Sequence, residues 1–262
     1  MQKEEHTKYN SMKKEWTVFL TAIMFFTRIP VGNIPYSEEF LNRSSKYLPV
    51  IGWLVGGVSA IVFFGFNFIL PSELALVFSM IASVILTGAF HEDGFADTCD
   101  GFGGGWTKEK ILTIMKDSRI GAYGMIGMFF LLLTKFLSLN SFQADLLPLT
   151  LIIGHTFSRF CATCFMFTYN YVRDDETSKS KPLGKMIKTS EFIFALITAL
   201  LPFLLLQSFW VFIILPFVYL VHFFFARYIN KWIEGYTGDC LGAMQQLTEI
   251  SVYVFLAILT EF

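Results

Sequence analysis

The chain has 262 residues, of which 54% are hydrophobic, 18% aromatic and only 16% charged, with a formal net charge of −1. So apolar a composition excludes an ordinary soluble domain, and a net charge near zero gives no reason to expect a nucleic acid partner, so charge is informative only where it clusters. Four cysteines without framework spacing exclude a disulfide scaffold, and Cys161-x-x-Cys164, inside an apolar run with no second ligand pair, reads as packing thiols.

Lys3, Lys8, Lys13 and Lys14 precede an apolar stretch from Trp16 to Phe26. Thr27-Arg28-Ile29-Pro30 follows where a secretory signal would carry small residues, so the stretch is expected to stay in the protein. Seven runs able to cross roughly 30 Å of hydrocarbon come next, at about 47–70, 74–91, 120–139, 147–169, 191–207, 209–229 and 245–262. Lys and Arg gather at the N-terminus and at 108–119, 173–188 and 227–231, whereas the short connections at 71–73, 140–146 and 207–208 contain none, which puts those connections outside. Parity then makes residues 28–46 cytoplasmic together with the N-terminus. Residues 16–29 are accordingly expected as an interfacial or re-entrant helix of about 14 residues stopped by Pro30, the alternative being an eighth span. The expected fold is all-α, a polytopic integral membrane helical bundle of about seven transmembrane helices plus that N-terminal helix. With no repeat or linker, residues 1–262 read as a single domain.

The second run leads into "HEDGFADTCDGFGGG", residues 91–105. If 91–101 continue that span as helix, Asp93, Asp97 and Asp100 lie at i, i+4 and i+7, within about 60° on one face. Like charges repel, and hard oxygen donors at this density suit Mg²⁺ or Mn²⁺ better than Zn²⁺. A zinc protease pattern is excluded because Phe95 stands where a second His is needed. His91 lies off the aspartate face and reads either as a base or ligand or as a structural hydrogen-bonding group; Glu92, about 100° from Asp93, is a secondary candidate. The glycines allow close backbone approach to a ligand without identifying one. Further on, Lys116, Asp117, Ser118 and Arg119 sit just before the third run. Acids that hold metal beside cations that hold phosphate oxygens make a phosphoryl-transfer constellation. In it Asp93, Asp97, Asp100 and Asp117 are metal-ligand candidates, Asp117 alternatively accepts a hydroxyl proton, and Lys116 and Arg119 are phosphate-binding candidates.

The later runs carry isolated polar groups. Arg159 lies deep in the fourth run with His155 one turn before it, and placing arginine there costs at least about 2.5 kcal/mol, so it should face the bundle interior and pair with an acid or with substrate phosphate. Lys135 is expected to snorkel outward, and His222 to be a satisfied interior histidine. The loop 173–190 either closes over substrate or remains solvated. Asp239 in Thr237-Gly238-Asp239 reads as a helix N-cap or, at a helix N-terminus aimed at a cytoplasmic cavity, as part of an anionic ligand site.

"HEDGFADTCDG", "IMKDSRIGAYG" and "GYTGDCLGA" at 235–243, with "FFTRIPVG" and "KYLPVIGWLVGG" nearer the start, resemble in order the motif set of the cobalamin synthase family. The resemblance implies a divalent-metal-dependent transferase in the cytoplasmic membrane of a bacterium or archaeon, its active site facing the cytoplasm. It also implies the reaction: α-ribazole, or its 5′-phosphate, attacks adenosylcobinamide-GDP through its ribose 3′-hydroxyl and GMP leaves. Asp93, Asp97, Asp117 and His91 are then the catalytic candidates, and Lys116, Arg119, Arg159 and Asp239 the substrate-binding ones. Membrane lipid is the surrounding partner; a homo-oligomer and contacts with other corrinoid enzymes stay open. The chemistry is similar to that of the CDP-alcohol phosphotransferases, but Asp97-Thr98 stands where their Ala-Arg is expected. Rival classes are a cation transporter or channel, which would place acids near the midplane in repeated halves, and an intramembrane aspartyl protease, which needs two facing aspartates in separate spans.

Overall fold

The computed structural model describes residues 2–35, 37–173, 187–206 and 212–261, with side chains from Met12 to Leu259. Most of the 173–190 loop and the 207–208 connection lie outside the described residues. Within them the chain is helical apart from an isolated bridge between Tyr171 and Tyr236. In order come α1 (Gln2–Phe26), α2 (Glu38–Ser44), α3 (Leu48–Asn67), α4 (Ser72–Thr87), α5 (Phe90–Gly104) and α6 (Lys108–Ile114). α7 (Ala122–Asn140), α8 (Leu147–Thr168), α9 (Thr189–Leu200), α10 (Ile214–Ile233) and α11 (Gly238–Glu261) follow.

Among the described residues five helical stretches are long and apolar enough to cross a membrane, or six if the bent pair of α4 and α5 makes one span. The exact count of seven is not confirmed there, since α10, with His222, Arg227 and Lys231, falls short of that apolar character. Ile61, Phe64, Phe129, Phe130, Leu204 and Phe224 point outward, each more than half exposed. Such a surface suits hydrocarbon and would drive association in water.

α8 forms the axis, with 83% of its apolar stretch buried. α3 lies directly on it through Gly52 and Gly56: a Cβ at Gly52 would sit 2.4 Å from the His155 carbonyl oxygen, and one at Gly56 2.6 Å from Ile152 Cα. The Gly-x-x-x-Gly spacing thus lets the two backbones touch where lipid supplies no hydrophobic drive. α1 ends at Phe26 just ahead of Pro30 and buries Val18, Ala22 and Phe26, one i, i+4, i+8 stripe, while Trp16 remains 61% exposed. It is not among the helices apolar enough to cross. Glu15 of α1 pairs with Arg43 and with Lys46 (2.7 Å), and Glu191 of α9 pairs with Arg43 at 3.3 Å, so one ionic knot joins α1, the α2 region and α9.

α4 does not run on into the acidic stretch. It stops at Thr87 and the chain turns by 88° into α5. Gly88 adopts φ +68°, its N–H bonds Ile85 O at 3.2 Å, and Ala89 N–H bonds Val84 O at 2.9 Å. This is a Schellman closure, which satisfies the last carbonyls of α4 and needs a residue without a Cβ at the left-handed position. Arg28 seals the turn: its N–H bonds Leu86 O at 2.7 Å and its guanidinium lies over Gly88.

Candidate active site

α5 is helical as its spacing requires, and the bend lays it across the N-terminus of α11. Glycines make that crossing: a Cβ on Gly94 would meet Asp239 Cα at 2.9 Å, and one on Gly242 the His91 carbonyl oxygen at 2.9 Å. Asp93 is exposed, Asp97 is half-buried, and Asp239 stands close enough to both to interact electrostatically. Asp239 is not the cap of α11. Cys240 N–H bonds Thr237 Oγ1 at 3.3 Å, so Thr237 caps the helix and the Asp239 carboxylate is left to face the cluster.

The cation opposite these acids is Arg173, whose side chain is 10% exposed and whose Nη2 lies 2.9 Å from Asp239 Oδ2. The pair is not aligned as a hydrogen bond, so among the described residues Arg173 Nε and Nη2 have no hydrogen-bond acceptor. Sequence reasoning passed over Arg173 because it opens a charged loop whose partner lies in the last helix. The strand-like bonds of Val172 N–H to Tyr236 O (3.0 Å) and Tyr236 N–H to Asn170 O (2.9 Å) bring it there.

Asp100 has a different setting. It is 8% exposed, and Gly121 and Gly124 N–H donate to its two oxygens at 2.6 and 2.8 Å. It therefore caps α7 from another helix, where the helix's own cap position, Gly121, has no side chain. Asp117 is held by Arg119, whose Nε and Nη2 donate at 3.0 and 2.7 Å. Arg119 pulls the Asp117 carboxyl down to about 2, making it a feeble proton acceptor. Asp100, Lys110, Asp117, Arg119 and Tyr123 line a groove of about 570 Å³ between α6 and α7, with Lys116 exposed on the turn after α6. The four aspartates expected to share metal have different settings: Asp93 and Asp97 adjoin Asp239, while Asp100, still within electrostatic reach of Asp97, and Asp117 line the neighbouring groove. Among the described residues no group of three or more His, Cys, Asp or Glu stands close enough to hold a metal ion. The donor type nonetheless suits a hard divalent cation: Asp93, Asp97 and Asp239 are carboxylates within electrostatic reach of one another, with Arg173 beside Asp239.

His91 and Arg159 belong elsewhere. His91 is 4% exposed, and its electrostatic neighbours are Arg159, Glu249, His155 and Lys135 rather than the aspartates. Arg159, 1% exposed, donates from Nη1 to His155 O at 2.9 Å. Around it Glu249 receives Lys135 at 2.7 Å, His155 at 3.2 Å and the Tyr253 hydroxyl at 3.2 Å. Gln245 bonds Ser158 at 2.9 Å, and Gln246 bonds Glu92 at 3.0 Å. Arg159 faces the interior as expected, within reach of an acid. Lys135 does not snorkel: it is 3% exposed and points inward, because its partner Glu249 lies on a helix that no local reading of α7 includes. His222 is interior, but its Nδ1 is unsatisfied among the described residues.

Comparison with known proteins identifies the family. Residues 18–257 match the family model for cobalamin-5-phosphate synthase. The chain is 44% identical over 255 residues to the adenosylcobinamide-GDP ribazoletransferase of Shewanella amazonensis, covering 95% of this chain and 98% of that one. It is 43% identical over 263 residues to the same-named protein of Leptospira interrogans, covering 95% and 98%. With that of Vibrio parahaemolyticus it shares 40% over 260 residues, covering 98% and 97%. No solved structure matches the chain. By sequence over nearly its whole length, the chain belongs to the cobalamin-5-phosphate synthase family, transferases of cobalamin biosynthesis.

Proposed function

We propose that this chain joins α-ribazole, or its 5′-phosphate, to adenosylcobinamide-GDP on the cytoplasmic side of the membrane. The ribose 3′-hydroxyl oxygen forms a bond to the phosphorus on the cobinamide side, the bond from that phosphorus to the bridging oxygen breaks, and GMP departs with that oxygen. The observation that carries this reading is Arg173, a nearly buried guanidinium 2.9 Å from Asp239 whose Nε and Nη2 have no hydrogen-bond acceptor among the described residues, a setting that suits a bidentate grip on phosphate. Asp93, Asp97 and Asp239 would hold a divalent cation, Mg²⁺ or Mn²⁺, which when bound neutralises charge on the diphosphate. Asp97, half-buried and within electrostatic reach of the other two, would take the hydroxyl proton on a carboxylate oxygen. Lys110, Lys116 and Arg119 line or adjoin the groove that suits the nucleotide end. His91 and Arg159 hold the interior of the bundle rather than substrate.

The test is release of GMP from adenosylcobinamide-GDP by detergent-purified protein, with α-ribazole and Mg²⁺ added separately and together. GMP should appear only with both. Release without α-ribazole would mean hydrolysis, and no release under any combination would reject the transfer.

A further inference from the structure

α8, α9 and α10 border a second, half-open cavity of about 360 Å³, distinct from the carboxylate site. Its walls are rings, including Phe157, Phe160, Phe192, Tyr219 and Phe223, with the imidazole of His222 set among them. His222 is 8% exposed, and its Nδ1 finds no hydrogen-bond partner among the described residues. An imidazole that makes no hydrogen bond among the described residues is costly in an apolar wall, and its less buried ring edge lines the cavity, where a ligand would complete the bonding. The volume lies at the small end of ligand sites, roughly 300–1,000 Å³. A corrin macrocycle exceeds it, and guanine, with polar atoms on every edge, would be left largely unpaired against carbon. A flat, neutral two-ring base with a single free ring nitrogen matches both the walls and the imidazole.

The cavity also leads toward the reaction site. Thr168 and Tyr169 form its rim, and Phe165 touches His222 on one side (6.3 Å between centroids) and Tyr236 on the other (5.4 Å). From Tyr169 the chain runs to Arg173 in four residues, at most about 14 Å. A nucleoside with its base in the cavity would therefore extend its sugar past the rim toward Arg173 and the aspartates.

We propose that this cavity is the binding site for the aromatic base of the ribazole half-substrate, with His222 hydrogen-bonded to the base's free ring nitrogen. The proposal rests on the transferase reading above. The test uses the full chain in detergent, His222→Phe and His222→Ala, each checked for unchanged Tm. Equilibrium dialysis with α-ribazole should show about tenfold weaker binding in both variants. In the transfer assay the KM for α-ribazole should rise by a similar factor while the KM for adenosylcobinamide-GDP stays put. Stable variants with unaltered α-ribazole binding would overturn the proposal, as would a phospholipid retained by wild type, lost on His222→Phe, with α-ribazole parameters unmoved. If wild type binds α-ribazole in a His222-dependent way yet releases no GMP, the base site stands and the transfer reading fails.

Discussion

The chain gathers charge in two places, and they are built on opposite terms. At the α5–α11 crossing Asp93, Asp97 and Asp239 lie within electrostatic reach of one another, with Arg173 beside Asp239, and are half-open to the exterior. In the interior Lys135, Glu249, His155, Arg159, Gln245 and Gln246 are sealed and bonded mostly to one another. The first is a surplus of like charge that a ligand would relieve; in the second Lys135 and Arg159 stand against Glu249 and Glu92, and only Arg159 Nε and Glu92 Oε2 of that set lack a hydrogen-bond partner among the described residues. On the proposed reading the contrast separates chemistry from stability in lipid, and substitutions should divide along the same line.

The largest effect is expected in the interior. Glu249→Ala leaves the Lys135 ammonium buried without its acid, a loss of about 3–5 kcal/mol for a sealed pair. Thermal unfolding in detergent should show it, and adding Lys135→Met should recover part of the stability. A Glu249 variant as stable as wild type would erase the distinction.

The aspartates should behave in the reverse sense. Asp93→Asn and Asp97→Asn are expected to lower kcat by about 10²–10³-fold, on the scale of removing one transition-state electrostatic contact. Their Tm should hold or rise, since each change removes like-charge repulsion. Lost stability with normal turnover would move this cluster into the structural class.

Arg173 sharpens the comparison further. Arg173→Lys keeps the charge but not the fork, and should raise the KM for the GDP-activated corrinoid by about tenfold while leaving the KM for α-ribazole near wild type. Equal kinetics in the lysine variant would mean that the guanidinium serves only Asp239. Asp100→Asn should weaken the trans cap on α7 by about 1 kcal/mol without a direct kinetic effect. A collapse of kcat at unchanged Tm would return Asp100 to the metal site.

The smallest effect concerns pH. Arg119 holds the Asp117 carboxyl at about 2, below its ordinary 3.8. A depressed carboxyl contributes fully above its unfolded value and loses its contribution only as pH falls through about 2, so this pair stays ionised between about pH 5 and pH 9. Asp117→Asn should therefore leave the shape of the pH–rate profile unchanged over that range. A limb that vanishes with the substitution would show that Asp117 titrates in the reaction after all.

The legible parts of the molecule were the local ones. The spacing of Asp93, Asp97 and Asp100 is a property of consecutive residues and survives folding as a helix, and the apolar runs announce α3, α7, α8 and α11 by length. The bend was missed because Gly88 sits in an otherwise unbroken apolar run, and only the bonds to Val84 and Ile85 reveal a helix end. Lys135 was misjudged, and Arg173 overlooked, for one reason: each acquires its meaning from an acid on α11, and a pattern read along one helix contains no information about which distant helix will face it. The division of the aspartates is of the same kind, since Asp100 is claimed by backbone amides of α7.

The glycine seam between α3 and α8 also sets a schedule. Gly52 and Gly56 can touch His155 and Ile152 only once α8 has been synthesised, about a hundred residues later, which at 5–20 residues per second is roughly 5–20 s. Throughout that wait α3 must sit in the bilayer with its narrow face against lipid. It can do so because its backbone bonds are closed within the helix and glycine leaves no polar side chain behind. When α8 arrives, the groove made by those two missing side chains is already open, and the helix that carries Arg159 has a ready place to dock before its charge can wander back toward water.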